Sequence, residues 1–470
     1  MFLAGRWVES SQPLIVPNPA QPGEAAGSTF YATAEQYEEA VVAAVAAFEQ
    51  TRKLPAFERS AALRAISSGI AARRAEIGRL IALESGKPIR DALAEVDRAV
   101  LTFRLGAEEA ERIGGEVIPL DLNPASRGRT GIVRRFPIGP IAAISPFNFP
   151  LNLAAHKLAP AIASGNPIVL KPPSRDPLTM LTVAEIVADA GLPAGSVSIL
   201  PMTRELGDRM VGDERFKLLT FTGSPEVGWK MKERAGRKRV VLELGGNAGV
   251  IVDASADLDW AVRRIVPGAF SYAGQVCISV QRCYVHESVW DDFMGRFLAA
   301  ARALKVGDPL DPTMDVGPMV DAAAVARTEA LVAEAVSLGG TVLLGGTADG
   351  AYFSPTVLTR VPTAARACTT EAFAPLVVVA PFGDFREAVR SINNSRYGLQ
   401  AGVFTNDLDH AWTAFEELEV GGVIVNDVPT YRIDHMPYGG SKDSGQGREG
   451  VRYAIEDMTE VRIMVLARPQ

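Results

Sequence analysis

A cysteine, a glutamate and an asparagine stand where this sequence could assemble covalent catalysis. Cys277 lies in Ser271-Tyr-Ala-Gly-Gln-Val-Cys-Ile-Ser-Val-Gln-Arg282, after a predicted helix and a Gly-Gln pair, which predicts a turn. A thiol on a turn is reachable and can act as a nucleophile, although a lone cysteine also serves as a small buried hydrophobe. Cys283, in a strand pattern, and Cys368, in a predicted loop, fit the second use. One cysteine pair without nearby histidines is too few ligands for a metal. Glu243 ends the apolar run Arg239-Val-Val-Leu-Glu-Leu244. A carboxylate there is costly unless it is paired or functional. Partial burial would raise its pKa towards that of a usable general base; a structural ion pair is the alternative. Asn148, in Phe147-Asn-Phe-Pro150, follows a short apolar strand. Its amide can donate to a developing oxyanion or cap the next helix.

Positioning these groups falls to a regular stretch beginning at Pro140. Strands are predicted at 141–144, 167–171, 197–200, 218–221 and 239–244, and helices at 151–164, 178–190, 204–211 and 225–235. Short spacing and near-continuous apolar strands predict a parallel sheet covered on both faces. Such sheets bind ligands beyond the carboxyl ends of their strands, where Asn148 and Glu243 would stand. Upstream, Thr33 and Gln36 form a capping-box pattern, followed by helical periodicity over 33–112, with runs at 57–83 and 91–113. Residues 117–137 read as a hairpin-like excursion with strands at 117–120 and 131–136. Residues 246–430 mix helices (258–270, 289–304, 322–338, 385–391) with strands (282–285, 377–382, 401–404, 422–425), a second α/β unit. The tail, 460–466, reads as a strand without a following partner, which must pair elsewhere, for example with another subunit.

The 470 residues suggest two or three domains at about 100–200 residues each. A net charge of -7 disfavours nucleic acid and anionic membranes as partners. An odd count of three cysteines argues against a disulfide framework and for a reducing compartment. With no signal-peptide pattern and no apolar run of about 20 residues, the expectation is a soluble cytoplasmic protein. Gly445-Gln-Gly-Arg-Glu-Gly450 matches a dinucleotide fingerprint by letter only. No strand precedes it and too little chain follows for a βαβ unit, so it reads as a loop.

Seven motifs in order, Pro146-Phe-Asn-Phe-Pro150, Lys171-Pro172, Phe221-Thr-Gly-Ser224, Glu243-Leu-Gly-Gly246, Gly274-Gln-Val-Cys277, Glu371-Ala-Phe373 and Pro437-Tyr-Gly-Gly440, resemble the aldehyde dehydrogenase superfamily across nearly the whole chain. The nearest likeness is to subgroups handling short polar aldehydes such as lactaldehyde or succinate semialdehyde. The resemblance implies an α/β fold: a Rossmann-type parallel-sheet cofactor domain (1–116 and 138–245), an α/β catalytic domain (246–440) and a small β oligomerisation arm (117–137 and 455–470), giving homodimers or homotetramers. It implies NAD(P)-dependent oxidation of an aldehyde to a carboxylic acid. Cys277 would attack the aldehyde, the Asn148 side chain and the Cys277 amide would hold the oxyanion, and Glu243 would activate the water that hydrolyses the thioester. Lys171 would contact the adenosine ribose, Gly223, Ser224 and Gly228 would lie near the pyrophosphate, Glu371 would hold the nicotinamide ribose and Phe373 would flank the ring.

Three departures from the family pattern stand out: Ala374 for a glycine, Gly249 for a proline, and Phe147 where tryptophan is common. The first could shift the loop carrying Glu371. NAD-preferring members often carry a glutamate three residues after Lys171; here Ser174 and then Arg175 follow, which favours NADP, because no carboxylate repels its 2′-phosphate. Arg432, in the loop bordering the substrate entrance, and Arg104, on the helix expected to line its other side, would read an anionic tail; alternatively Arg432 braces its loop through Asp427 or Asp434. A CoA-acylating enzyme is disfavoured by Glu243, and a silent homologue by the presence of all three catalytic groups. A cysteine hydrolase needs a histidine near Cys277, and His156, His286, His410 and His435 lack that context.

Overall fold

The computed structural model describes residues 1–468. Its first sheet has eight strands, and the five central ones run parallel in the order Val197–Ile199, Ile168–Lys171, Ile141–Ile144, Leu218–Thr222, Arg239–Glu243. These strands are buried almost throughout, which is what near-continuous Ile, Val, Leu and Ala runs dictate. The strand order turns about Ile141–Ile144, whose neighbours follow it in sequence on both sides, so a crevice opens at the carboxyl ends. Helices Asn152–Ser164, Leu178–Ala188, Arg204–Gly212 and Pro225–Arg234 connect the strands.

The amino-terminal helices cover this sheet. Ala34–Thr51 begins with the capping box expected of Thr33 and Gln36. The run at 57–83 is two helices, Ala56–Ala72 and Arg74–Ser85, broken at Arg73. No proline or glycine marks that break; Arg73 pairs there with the nearby Glu76 and the distant Glu185. Phe2–Leu3 and Gly445–Gln446 were not anticipated; they pair antiparallel near opposite ends of the sheet. The loop expected around Gly445 thus contains a short strand against Leu242 and Glu243.

The second sheet has seven strands, ordered Thr341–Leu344, Thr356–Thr359, Leu376–Phe382, Val280–His286, Ala248–Val252, Gln400–Phe404, Gly422–Val425, parallel except at the first pair. Only 244–247 separate the last parallel strand of one sheet from Ala248–Val252 of the other. The carboxyl ends of the first sheet therefore face the amino ends of the second, and Cys277 precedes Val280–His286 at that junction.

The tail strand is not an orphan. Thr459–Ala467 pairs antiparallel along its full length with Arg129–Pro137, which pairs in turn with Gly115–Pro119. As expected, the tail pairs elsewhere: its partner lies over 300 residues upstream in its own chain, beyond the reach of local pattern. Val461, Ile463, Met464, Val465 and Leu466 nevertheless remain exposed on this arm. The last two residues of the predicted 455–470 segment lie outside the described ones. Among the described residues, no helix is long and apolar enough to cross a membrane.

Candidate active site

Cys277 sits where two clefts meet. One, of about 270 Å³, is bordered by Arg98, Phe149, Arg264, Arg432 and Tyr438; the other, of about 620 Å³, by Asn148, Ser174, Gly223, Ser224, Glu243, Glu371 and Phe373. The turn predicted before Cys277 is strained: Tyr272, Ala273 and Gly274 all have φ between 50° and 64°. For the two non-glycine residues that conformation is unfavourable and needs surrounding support. The Tyr272 hydroxyl donates to the Ser85 carbonyl (2.9 Å), and Gln275 Oε1 accepts from the Val320 amide (2.8 Å). Burial pushes the Cys277 thiol up to about 12. Its sulfur lies 3.1 Å from the Tyr438 hydroxyl. Cys283 is buried in its strand as expected, while Cys368 belongs to the short helix Arg366–Thr369 rather than to a loop.

Asn148 is buried and donates through Nδ2 to the Gln275 carbonyl (3.2 Å), two residues before Cys277. The capping alternative is overturned. Helix Asn152–Ser164 has no side-chain cap at Leu151, and the backbone amides of Leu151 and Asn152 donate to Glu95 Oε1 (2.9 and 3.1 Å). Asn148 thereby borders the same cleft as Cys277.

Glu243 is 3 % exposed, and neither of its carboxyl oxygens has a hydrogen-bond partner. Burial, then the charge of Glu449, pushes its pKa well above the ordinary value, against Arg432 and Lys157. It is not the ion-paired structural carboxylate that was the alternative. That description fits Glu449, which Arg432 approaches at 2.9 Å and Lys157 at 3.4 Å; burial opposes its ionisation, but Lys157 and Arg432 hold it at about 2.

The larger cleft continues past Ser174 into a pocket of about 690 Å³ beside Lys171, Arg204, Lys230 and Arg234. Burial brings the Lys171 ammonium down to about 8, and its Nζ lies 3.4 Å from Ser174 Oγ. Ser224 precedes helix Pro225–Arg234 and makes no side-chain cap, so the helix's first amides are left for an anion. Gly223 borders the cleft, but Gly228 does not: a Cβ there would meet Leu244 at 2.4 Å, so Gly228 serves helix–sheet packing. Glu371 accepts from the Gly246 amide (3.1 Å), and burial lifts its carboxyl to about 8. Phe373 packs edge-on against Phe147 at 5.8 Å. The left-handed residue of that loop is Phe373, with φ 49°, while Ala374 is not among the positive-φ residues. Alanine for glycine at 374 therefore demands no strained backbone.

Two expectations about arginines are corrected. Arg104 is exposed beside Glu108 and lines neither cleft; Arg98, on the same helix Ile89–Arg112, borders the smaller one. Arg432 is braced by Glu449, not by its sequence neighbours: Asp427 holds Arg264 and Asp434 holds Arg98 and His156. Arg175 is taken by Asp321.

The aldehyde dehydrogenase family model matches residues 7–464 of this chain. The chain belongs to that family. It is 42% identical over 467 residues to a 3-sulfolactaldehyde dehydrogenase of Priestia aryabhattai, covering 99% of this chain and 97% of the relative. Aldehyde dehydrogenase 21 from Physcomitrella patens, in complex with the reaction product succinate, has a TM-score of 0.98 at 48% identity, with 99% of this chain and 98% of that one covered. A glyceraldehyde-3-phosphate dehydrogenase of Methanocaldococcus jannaschii complexed with NADP has a TM-score of 0.93 at 40% identity, with 97% and 99% covered.

The sequence reading of this aldehyde dehydrogenase overlooked Lys157, Glu449, Arg98 and Tyr438. Lys157 carried a usable signal: a lysine inside Leu-Ala-Ala-His-Lys-Leu-Ala is as anomalous as Glu243 inside its strand. One consequence of the buried acids is measurable. A carboxyl whose folded-state pKa is raised stabilises the fold at low pH and loses that contribution as pH climbs to the folded value. For Glu371 the window runs from 4.5 to about 8. Glu371→Gln should flatten the fall of Tm across that window in thermal melts; parallel curves for the two proteins would contradict this burial.

Proposed function

We propose that this chain oxidises a short aldehyde bearing an acidic or hydroxylated tail to its carboxylic acid, with NADP preferred over NAD. The observation carrying the reading is the convergence of two clefts on Cys277, with the Asn148 amide and the unpartnered Glu243 carboxyl at the same junction. The cofactor reading fits the residues of the larger cleft. Lys171, Ser174, Arg204 and Lys230 surround its far end with donors suited to a 2′-phosphate, the Ser224 end offers free helix amides to a pyrophosphate, and Glu371 offers an acceptor to a ribose hydroxyl. Bound there, the nicotinamide supplies the hydride acceptor for aldehyde oxidation.

The chain's own residues do the rest. The Cys277 thiolate adds to the aldehyde carbon, whose π pair moves to oxygen, and the Asn148 amide with the Cys277 N–H stabilises that charge. After oxidation to the thioester, Glu243 takes a proton from water as the water's oxygen attacks, and the C–S pair returns to sulfur. Lack of any fixed partner leaves Glu243 free for this exchange. A CoA-acylating reaction would leave Glu243 without a role. The substrate reading rests on Arg98, Arg264 and Arg432 bordering the smaller cleft. It is supported by the sulfonate, carboxylate and phosphate groups in the compounds named for the relatives.

The same reading divides the chain into a cofactor domain (1–116 and 138–245), a catalytic domain (246–440) and an arm (117–137 and 455–470). The exposed apolar side chains of Thr459–Ala467 are the surface through which a homodimer or homotetramer would assemble.

Cys277→Ala should abolish cofactor reduction measured by absorbance while leaving Tm unchanged within a few degrees. Glu243→Gln should give one turnover and then stall at the thioester, which intact-protein mass spectrometry detects; steady turnover at the unaltered rate would remove Glu243 as the base.

kcat/KM should be at least as high with NADP as with NAD, and a strong NAD preference would overturn the assignment of the far pocket.

Arg432→Ala should raise KM for an acidic aldehyde at least about tenfold more than for propanal, the loss of one charged hydrogen-bond pair. Equal effects would show that Arg432 does not read the substrate's charge.

A further inference from the structure

The nucleophile has a neighbour that none of the chemistry above employs. Tyr438 is 3 % exposed, and its hydroxyl stands 3.1 Å from Cys277 Sγ. Among the described residues, that sulfur is the hydroxyl's one hydrogen-bond partner. A buried phenol is normally satisfied by an oxygen or nitrogen acceptor; here its partner is the reacting atom, and either of the two can be the donor. The ring is also held: the Arg432 guanidinium lies 3.7 Å from its centroid, and Arg432 is fixed from behind by Glu449. A cation against the ring face draws electron density from it and strengthens the O–H as a donor.

We propose that Tyr438 is a further catalytic residue, its hydroxyl donating to the Cys277 sulfur whenever that sulfur carries negative charge. The proposal rests on Cys277 being the nucleophile. It applies at two moments. Before attack, the thiol proton leaves to solvent and the phenol O–H points at the thiolate. In deacylation the tetrahedral adduct collapses, the C–S bond breaks with its electron pair going to sulfur, and the same O–H receives the departing thiolate. Between these moments sulfur is a neutral thioether or thioester and the hydrogen bond is weak, so the stabilisation appears where charge appears.

The surroundings make such a donor necessary. Around Cys277 lie the acids Glu371 and Glu243, which oppose a thiolate, and Arg432, which favours one but is shared with Glu449. Asn148 commits one amide N–H to Gln275 and, on the proposed reading, the other to the oxyanion. Burial, then the nearby Cys277 charge, keeps the Tyr438 phenol protonated well above its ordinary range, so it remains a donor when the thiol has ionised.

The test reads the thiol without turnover, by following iodoacetamide alkylation of Cys277 in the full-length protein by peptide mass spectrometry at fixed pH. Tyr438→Phe should slow alkylation by roughly tenfold, the worth of one hydrogen bond to a charged group. Replacing Tyr438 by 3-fluorotyrosine keeps the shape and makes the phenol a stronger donor, so it should speed alkylation. A packing role moves both variants alike. Alkylation of Tyr438→Phe at the unaltered rate, or a fluorotyrosine effect in the same direction as phenylalanine, overturns the proposal. Cys277→Ser separates the premise: if it still oxidises aldehyde, the nucleophile assignment fails and this proposal with it; if it is inert while Tyr438→Phe alkylates normally, the role of Tyr438 alone fails.

Discussion

Lys157, Arg432 and Glu449 are almost wholly removed from water, and they can stay charged only by neutralising one another. Removing one partner from such a group typically costs about 3–5 kcal/mol. Their sequence positions explain why the arrangement matters. Lys157 comes from the helix beneath the first sheet, Arg432 from the loop beyond the second, and Glu449 from the segment after the glycine-rich turn. Lys157 also donates to Thr220 and Thr222 at the carboxyl end of a central strand (3.1 and 2.7 Å). The trio therefore fastens three distant stretches of chain around Glu243. It also takes up the nearby positive charge, which leaves Glu243 buried, unpaired and high in pKa.

Cys277 is placed by a similar convergence. The left-handed run Tyr272-Ala-Gly is held open by Tyr272 on the Ser85 carbonyl and by Gln275 on Val320. Lys87 packs its ammonium 3.7 Å from the Phe149 ring centroid and 4.8 Å from that of Tyr272, and it pairs with Glu95, which accepts from the Leu151 and Asn152 amides. Asn148 and Cys277 thus inherit their relative position from one buried lysine and one buried glutamate. Because Glu95 satisfies the helix amides, Asn148 is released from capping.

Much of this was legible in sequence because it is local. Apolar runs of strand length and their helical connectors set out the first sheet, and the helix at Leu258–Phe270 and the strand at Gly422–Val425 match expectation at both ends. Glu243 stood out because its charge clashed with its apolar strand, and Cys277 and Asn148 because they follow predicted elements and lie in the motifs of the family resemblance. What escaped depends on contacts across the chain. Lys157 and Glu449 are 292 residues apart, and the tail strand meets its partner across a similar interval. The arginine expected beside this cleft was Arg104, whereas Arg98, about one and two-thirds turns earlier on the same helix, borders it, because the 91–113 pattern could not show which face of the helix meets the second sheet. Arg432 was braced by a distant acid although nearer ones lay on either side of it, since Asp427 and Asp434 already hold Arg264 and Arg98.

The four residues between the sheets, 244–247, carry one more implication. The Leu244 amide donates to Ser444, the Gly245 carbonyl accepts from the Ser444 hydroxyl (2.8 Å), Gly246 donates to Glu371, and the backbone at Gly246 leaves no room for a side chain beside the Cys277 carbonyl. Such a short, pinned connection behaves mechanically as a weld. Ser444 leads into Gly445–Gln446 of the first sheet and Glu371 precedes Leu376–Phe382 of the second, so the connection is bonded on both sides.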